Sequence, residues 1–464
     1  MHRTFRTVDP ERARDLQVRV GDPLPEGHLA YFIADAVRQL DLASLVATYG
    51  TRGAPPYAPE VLLSLLCYGY ATGTFSSRAL ELATRESLPF LFLAGGSTPD
   101  HDTFAAFRRR VLPLLPDLFT QVLLFAHTAG VFQLGNLSMD GTKIQANASK
   151  SKAVSAARLD ELTTQLRQEV DELLARVAQV EAGQADAGQV PPGLQLPAEI
   201  ARRETYLARL AAAKAVLETR AAARYTDEKA QYDRKMIDRA AKEATLGRPL
   251  GGKPPTPPTA GVRPTDQYNF TDPESRISKN SRDQGFNQHY NGQVAVDQAS
   301  RLVVATSLSN QANDQNTVGA TLAALQALPA TLGRSERVAL DTGYFSAKNV
   351  ALLEEAGLTP YIGTGRDPHH PSWQARFAAA PEPPPAAAPL KVRMAYQLRT
   401  AAGQACYRLR KSTVEPVIGI VKAVQRYRQC SLRGEAAVRG EWQLVCLCYN
   451  LRRLRVLQAR AAAA

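Results

Sequence analysis

A chain of 464 residues has room for two or three domains and a sizeable core. Its formal charge of +12 is uneven: from Lys391 to Ala464 fifteen Lys and Arg stand against three acids, Glu415, Glu435 and Glu441, so the preceding residues are close to neutral. A basic surface confined to one segment is the electrostatic footprint of nucleic acid. The five cysteines (Cys67, Cys406, Cys430, Cys446, Cys448) show no CxxC pairing or His spacing, which excludes a zinc framework and argues for buried thiols in a reducing compartment. The N-terminus lacks an apolar h-region, and no apolar run approaches about 18 residues, so the expectation is a cytosolic protein without a membrane span.

Residues 1–130 read as all-helical. Ala58–Tyr70 is apolar, Ser76 is placed to cap the following helix, and Asp102 is read as the cap of DTFAAFRRRV. Short helices joined at Thr72-Gly73 and Gly95-Gly96 are compatible with a helix-turn-helix or with a plain helical packing domain. In the former, Arg108, Arg109 and Arg110 would meet phosphates.

Around residues 135–145, Leu137, Met139 and Ile144 favour a strand. Asp140 in its middle is costly in a half-buried strand unless something binds it, although Asp-Gly is also a turn signal. From about 153 to 246, Leu159, Leu162, Leu166, Val170, Leu173 and Val177 recur at three- and four-residue steps. Ile200, Leu207, Leu210 and Leu217 repeat this after a Gly/Pro break, which predicts an antiparallel coiled-coil hairpin, an insertion or assembly arm. Residues 246–264 read as a flexible linker.

Residues 288–362 alternate in an α/β manner. Strands are expected at 291–297, 302–308, 337–341 and 359–362, with helices at 316–328 and 346–356. Asp341 ends its strand before a Thr-Gly turn, and ligands of open α/β sheets collect at carboxyl ends of strands. Asn313, Asp314 and Gln315 read either as lining the site or as a helix-capping turn, the turn being favoured, Tyr344 as either a base-stacking or a core aromatic, and His369 and His370 as solvated.

In the basic segment, STVEPVIGIVKAVQRYR (412–428) predicts a helix capped by Ser412 or Thr413 with Pro416 in its first turn. Val414, Val417, Ile418, Val421 and Val424 form a buried stripe, while Glu415, Gly419, Lys422 and Arg426 share a face roughly 130° away. Asp140, Asp341 and Glu415 together describe a mixed sheet with two carboxylates on neighbouring strands and a third on a late helix. Such carboxylates suit two hard cations, Mg²⁺ or Mn²⁺, which clamp the oxygens of an in-line displacement at phosphorus without a protein nucleophile.

The blocks LLCYGYATGTFSSRALE, STPDHDTFAAFRRR, LSMDGTKIQANASK, NFTDPESRISK, GFNQHYNGQVAVD, SNQANDQNT, ALDTGYFS, STVEPVIGIVK and RGEWQLVCLCYNLRRL follow one another in order. In them the chain resembles the DDE transposases of bacterial insertion sequences, with an InsH-like N-terminal domain and an RNase H-like catalytic domain. The resemblance implies an α/β fold: an RNase H-like mixed sheet with flanking helices, an all-α N-terminal domain and an inserted helical hairpin. It implies a DNA-binding domain at 1–130, a catalytic domain begun at 131–152 and resumed at 265–464, and the insertion with its linker at 153–264. It further implies Asp140, Asp341 and Glu415 as catalytic, metal-binding residues for two Mg²⁺ (or Mn²⁺) ions. Lys411, Lys422, Arg426 and Arg428, with Arg108, Arg109 and Arg110, would contact DNA. The implied partners are double-stranded DNA (terminal inverted repeats and target) and further copies of the chain on DNA, without a membrane, in the bacterial cytoplasm near the nucleoid. The family signature sets Tyr, Arg, Glu and Lys at fixed intervals. Lys422 keeps its interval from Glu415, but Lys411 stands at the Arg position with Arg410 beside it, and Tyr407 is one residue out of place. An RNase H-like nuclease without strand transfer and a domesticated DNA-binding protein are the alternatives.

Overall fold

A computed structural model describes residues 24–50, 55–182, 195–279, 285–311, 313–365, 382–385 and 387–463. His369 and His370 lie outside them. The chain divides into two compact units, residues 1–147 with 289–464, and residues 148–288.

In the first unit the chain opens with helices α1 (Leu29–Arg38), α2 (Ala43–Val46), α3 (Pro59–Thr72), α4 (Ser77–Glu86), α5 (Leu88–Leu93), α6 (His101–Val111) and α7 (Leu115–Thr128). Ser76 caps α4 by accepting from the Ala79 amide at 3.1 Å. The cap of α6 is Asp100, which accepts from Thr103 N at 2.7 Å, and not Asp102. Two acids flank His101, and the one that precedes the first turn has the extended backbone a cap requires. His101–Thr128 is, by length and composition, apolar enough to cross a membrane. Its Phe104, Phe107, Val111, Leu115, Val122 and Leu123 are instead buried in the helical core.

The sheet of this unit follows as β1 (Leu137–Gln145), β5 (Phe286–Asp297), β6 (Val303–Ser309), β7 (Arg337–Leu340) and β8 (Thr359–Ile362), with α10 (Val318–Gln326) and α11 (Ala347–Glu355) between strands. Between β1 and β5 the second unit contributes β2 (Ala153–Ser155), α8 (Ala156–Glu181), α9 (Leu196–Leu246), β3 (Gln267–Asn269) and β4 (Arg276–Lys279). The last helices are α12 (Leu390–Arg399), α13 (Ala401–Tyr407), α14 (Leu409–Ala423) and α15 (Glu435–Ala463).

Among the strands of this unit the order runs β6–β5–β1–β7–β8: the first three antiparallel, the last three parallel. β1 is therefore central, which its apolar Leu137, Met139 and Ile144, all at most 2% exposed, require. Helix α15 covers one face. Trp442 donates its indole N–H to Gln293 O at 3.1 Å, and Asn450 bridges the Val303 N–H and C=O of β6 at 2.8 and 2.7 Å. Only glycine fits at 292, because a Cβ there would stand 2.8 Å from the Trp442 ring. α10 is linked to β6 on the other side by the Ser307–Thr321 hydroxyl pair at 2.8 Å.

In the second unit, Leu159, Leu166, Leu210, Ala213 and Leu217 of α8 and α9 make a core joined by Tyr206, Tyr268 and Phe270. β2 and β3 pair antiparallel beneath it. The unit runs wider than the 153–264 expected from periodicity, because the short β2–β3 ribbon and residues up to 288 pack with it. α9 continues far beyond its buried residues, the last of which is Ala221.

One expected element differs in a telling way. α14 begins at Leu409, so Ser412 and Thr413 are not caps and Pro416 lies inside the helix. The chain arrives already helical from α13 through Arg408, which removes the need for a cap. The Ser412 hydroxyl donates to Leu409 O at 3.1 Å, and Thr413 Oγ1 donates to the same carbonyl. Pro416 has no N–H to give the Ser412 carbonyl, and both residues are exposed.

Candidate active site

β1 has nine residues, but only Leu137, Ser138 and Met139 pair with β7, opposite Val338, Ala339 and Leu340. The next residues along the two parallel strands are Asp140 and Asp341. Parallel register thus sets two carboxylates side by side at the carboxyl ends of neighbouring strands. Beyond that point β7 turns away, because Asp341 caps a 3-10 turn by accepting from the Thr342 amide at 2.5 Å. The edge of β1 from Asp140 onward is left open to α14 and the chain after it. Gln145 N donates to Arg428 O at 3.0 Å, Cys430 N donates to Gln145 O at 2.8 Å, and Lys422 Nζ reaches Lys143 O at 2.9 Å.

At the other end of this contact Arg410 Nη1 stands 3.6 Å from Asp140 Oδ2. Arg410 is 5% exposed, its guanidinium lies over the Tyr407 ring, and its Nε has no hydrogen-bond partner among the described residues. Glu415 lies between these anchors on α14. It is seven residues before Lys422, so at about 100° per residue the two share a face. Glu415 is exposed and carries no ion pair among the described residues. The buried stripe is Arg410, Thr413, Val414, Val417 and Val421, so the expected apolar face holds at Val414, Val417 and Val421, while Ile418 is half-buried and Val424 exposed.

Burial raises the Asp140 carboxyl to about 6; the Gly141 amide and Arg410 oppose this, while Asp341 and Asp314 reinforce it. Asp314 is the residue sequence reasoning assigned to a capping turn. Its Oδ1 instead accepts from Asn291 Nδ2 and Gln293 Nε2, both at 2.8 Å, and Gln293 Oε1 in turn accepts from the Tyr344 hydroxyl at 2.5 Å. Gly141 makes room for this chain: a Cβ there would stand 2.2 Å from Gln293 Nε2 and 2.6 Å from Asp314 Oδ1. The available signal was the pair of Asn291 and Gln293, two amides on one face of a strand, which need a polar partner when buried. Tyr344, 1% exposed, is a core aromatic whose buried hydroxyl is raised above the usual phenol range, first by burial and then by Asp314.

The candidate DNA-contacting residues divide. Arg109, Arg110, Lys411, Arg426 and Arg428 are exposed. Arg110 stacks on Tyr49 with 4.3 Å to the ring centroid, and Arg428 Nε donates to Lys422 O at 3.1 Å. Arg426 adopts φ +59, packed against Gly73. Arg108 corrects the expectation: it is 5% exposed, donates to Phe75 O and lies over the Tyr70 ring, so it has no free face for a phosphate. Lys422 is half-buried against β1 and ties the helix to the strand.

The other two acids of the basic segment have structural duties. Glu441 is fully buried and accepts from Tyr70 OH at 2.9 Å and from the Ser431 and Leu432 amides. Glu435 forms a surface ion pair with Arg439 at 2.6 Å. Among the described residues no three His, Cys, Asp or Glu side chains stand close enough to hold one metal ion. The acids expected to converge therefore do not close around a point. The donors present are nonetheless of the kind a hard divalent cation takes: carboxylate oxygens, two of them at the ends of adjacent parallel strands.

A family model described as a transposase domain matches residues 18–110. A second, described as a transposase DDE domain, matches residues 384–455. No curated protein and no solved structure matches the chain.

Proposed function

We propose that this chain, a member of the insertion-sequence DDE transposases by its two family matches, binds the terminal inverted repeats of its element as an oligomer in the cytoplasm and cuts and joins DNA strands there. The observation that supports this most is the parallel register of β1 and β7, which makes Asp140 and Asp341 neighbours at an open sheet edge lined by the helix of Glu415. When bound, two Mg²⁺ or Mn²⁺ ions would supply electrostatic stabilisation of the charge that develops in an in-line displacement at phosphorus. Asp140, Asp341 and Glu415 are the residues that would hold them. Arg410 keeps Asp140 charged and oriented from the protein side, opposing the effect of burial. Lys422 holds α14 against β1 so that Glu415 keeps its place along that edge. Lys411, Arg109, Arg110, Arg426 and Arg428 offer exposed cations to the DNA backbone.

The experiment is incubation of the protein with labelled element ends and Mg²⁺, scored for cleavage at the terminal nucleotide and for joined product. Asp140→Asn and Glu415→Gln are expected to abolish both while leaving DNA binding intact. Cleavage without joining would favour a nuclease, and cutting by Glu415→Gln would remove Glu415 from the proposed set.

A further inference from the structure

On the side of α14 turned away from Glu415 lies a cavity of about 590 Å³. Pro416, Ile420 and Val424, at four-residue steps, form its wall from α14, and Leu29, Tyr68, Tyr449 and Val456 add to its apolar floor. Its rim carries four guanidinium groups: Arg301, Arg452, Arg453 and Arg455. The lining contains one acid, Glu26, and none of the four arginines has an ion pair among the described residues.

That arrangement is costly as it stands. Arg452 and Arg453 are both held below the usual guanidinium range, first by burial and then by neighbouring arginines. Each is fixed in place by a carbonyl: Arg452 Nη1 donates to Ala71 O at 2.9 Å and Arg453 Nε donates to Ser300 O at 2.7 Å. A guanidinium has five N–H donors, so each retains several that no carbonyl takes up. Arg301 is held with its backbone in the left-handed region, φ +60, and its carbonyl accepts from the Tyr449 hydroxyl at 3.0 Å. The repulsion is thus maintained by specific anchors. An apolar chamber of this size with a few convergent polar groups is the usual form of a small-ligand site.

We propose that this cavity binds one nucleotide, its phosphate on the arginine rim and its base against the apolar floor. Planar guanidinium forks match phosphate oxygens, and four of them exceed what a lone carboxylate needs. The flat, apolar half of the ligand has the Tyr68, Tyr449 and Ile420 surfaces to cover it. The choice of a nucleotide among phosphate-bearing ligands rests on the DNA-processing role proposed above. Two sources share that chemistry: a free mononucleotide, and an unpaired nucleotide at the end of a DNA strand. Because Ile420 and Glu415 belong to one helix, occupancy would stiffen the back of the helix that carries the third acid.

The test is a fluorescence titration of the full chain with a mant-labelled deoxyadenosine monophosphate and, separately, with a labelled short oligothymidylate. Arg455→Ala removes an exposed cation and is expected to weaken binding about tenfold, the size of one charge-assisted hydrogen bond. Ile420→Trp fills the chamber and is expected to abolish it, with circular dichroism checking the fold. Tighter binding of the oligothymidylate than of the mononucleotide identifies a DNA end as the source, and equal binding identifies a free nucleotide. Failure of both probes to bind, or binding unchanged in both variants, overturns the proposal. The same variants assayed with Asp140→Asn keep the two readings apart. Nucleotide binding that persists in Asp140→Asn and fails in Arg455→Ala supports the cavity whether or not element ends are cut.

Discussion

Two runs of adjacent cations, Arg108–Arg110 on α6 and Arg410–Lys411 on α14, look alike in sequence and behave differently in the fold. In each, the first member is 5% exposed and the next is exposed. Arg108 is matched by a backbone carbonyl and an aromatic ring, the partners of a structural cation. Arg410 is matched by a carboxylate 3.6 Å away that burial holds near pKa 6. A buried arginine facing neutral groups supports the fold, whereas one facing a perturbed carboxylate belongs to chemistry. Basic runs therefore have to be read residue by residue.

The comparison breaks most readily at its structural member. Arg108→Ala is expected to lower stability by about 2–4 kcal/mol, since it removes a buried packed stem and leaves the Phe75 carbonyl unsatisfied. Thermal melts measure this, and a melt within a degree of the parent would show that Arg108 is dispensable. Arg410→Gln is expected to leave the melt nearly unchanged in comparison while depressing cleavage strongly. Its acidic activity limit should move to higher pH, because the cation that lowers the Asp140 pKa is gone.

Asp314→Asn sharpens the contrast by acting in the opposite direction. Asp314 raises the Asp140 pKa, so its neutralisation should move the acidic limit of cleavage to lower pH, with the Asn291 and Gln293 amides reoriented. A pH–rate profile of the two variants that shifted the same way would refute the assignment of both.

Stability itself carries a smaller signature of the same carboxylate. Asp140 has a folded pKa of about 6 against the ordinary aspartate value of 3.8. The folded state thus binds more protons between these values, and stability is lost as pH rises through them. Full ionisation costs at most about 3 kcal/mol, at roughly 1.4 kcal/mol per pKa unit. Asp140→Asn should therefore be more stable than the parent at pH above 7 and no more stable near pH 3, as denaturant titrations at the two pH values would show. The smallest effects are expected at the exposed members of the two runs. Arg109→Ala and Lys411→Ala should each reduce the slope of log affinity against log salt by about one unit, without altering cleavage at saturating DNA.

Much of this was legible from residue patterns. Ser76, the helix 77–86, the strand 359–362 and the pairing of 291–297 with the next strand follow from caps and periodicity, which are local properties. The cap of α6 was misplaced by two residues, and the start of α14 by several. At α6 two acids lay close together and the backbone before the first turn decided between them, whereas at α14 the preceding helix runs on through Arg408 and no cap is used. Asp314 was ranked as a cap ahead of a site residue for a different reason. Its partners Asn291 and Gln293 lie on a strand some twenty residues earlier, and a helix-capping reading needs only neighbours.

The sequence by itself determined which residues are apolar on which face, where the basic charge concentrates, and that Asp140, Asp341 and Glu415 sit on two strands and a helix, because these depend on period and composition. Only the tertiary structure decided that Asp140 and Asp341 are register neighbours, that α14 takes the edge of β1 vacated by β7, and that Arg108 turns inward while Arg109 does not. Register and burial arise from pairing between segments far apart in the chain. A one-residue slip would carry every side chain of β1 to the opposite face, and no local pattern fixes that choice.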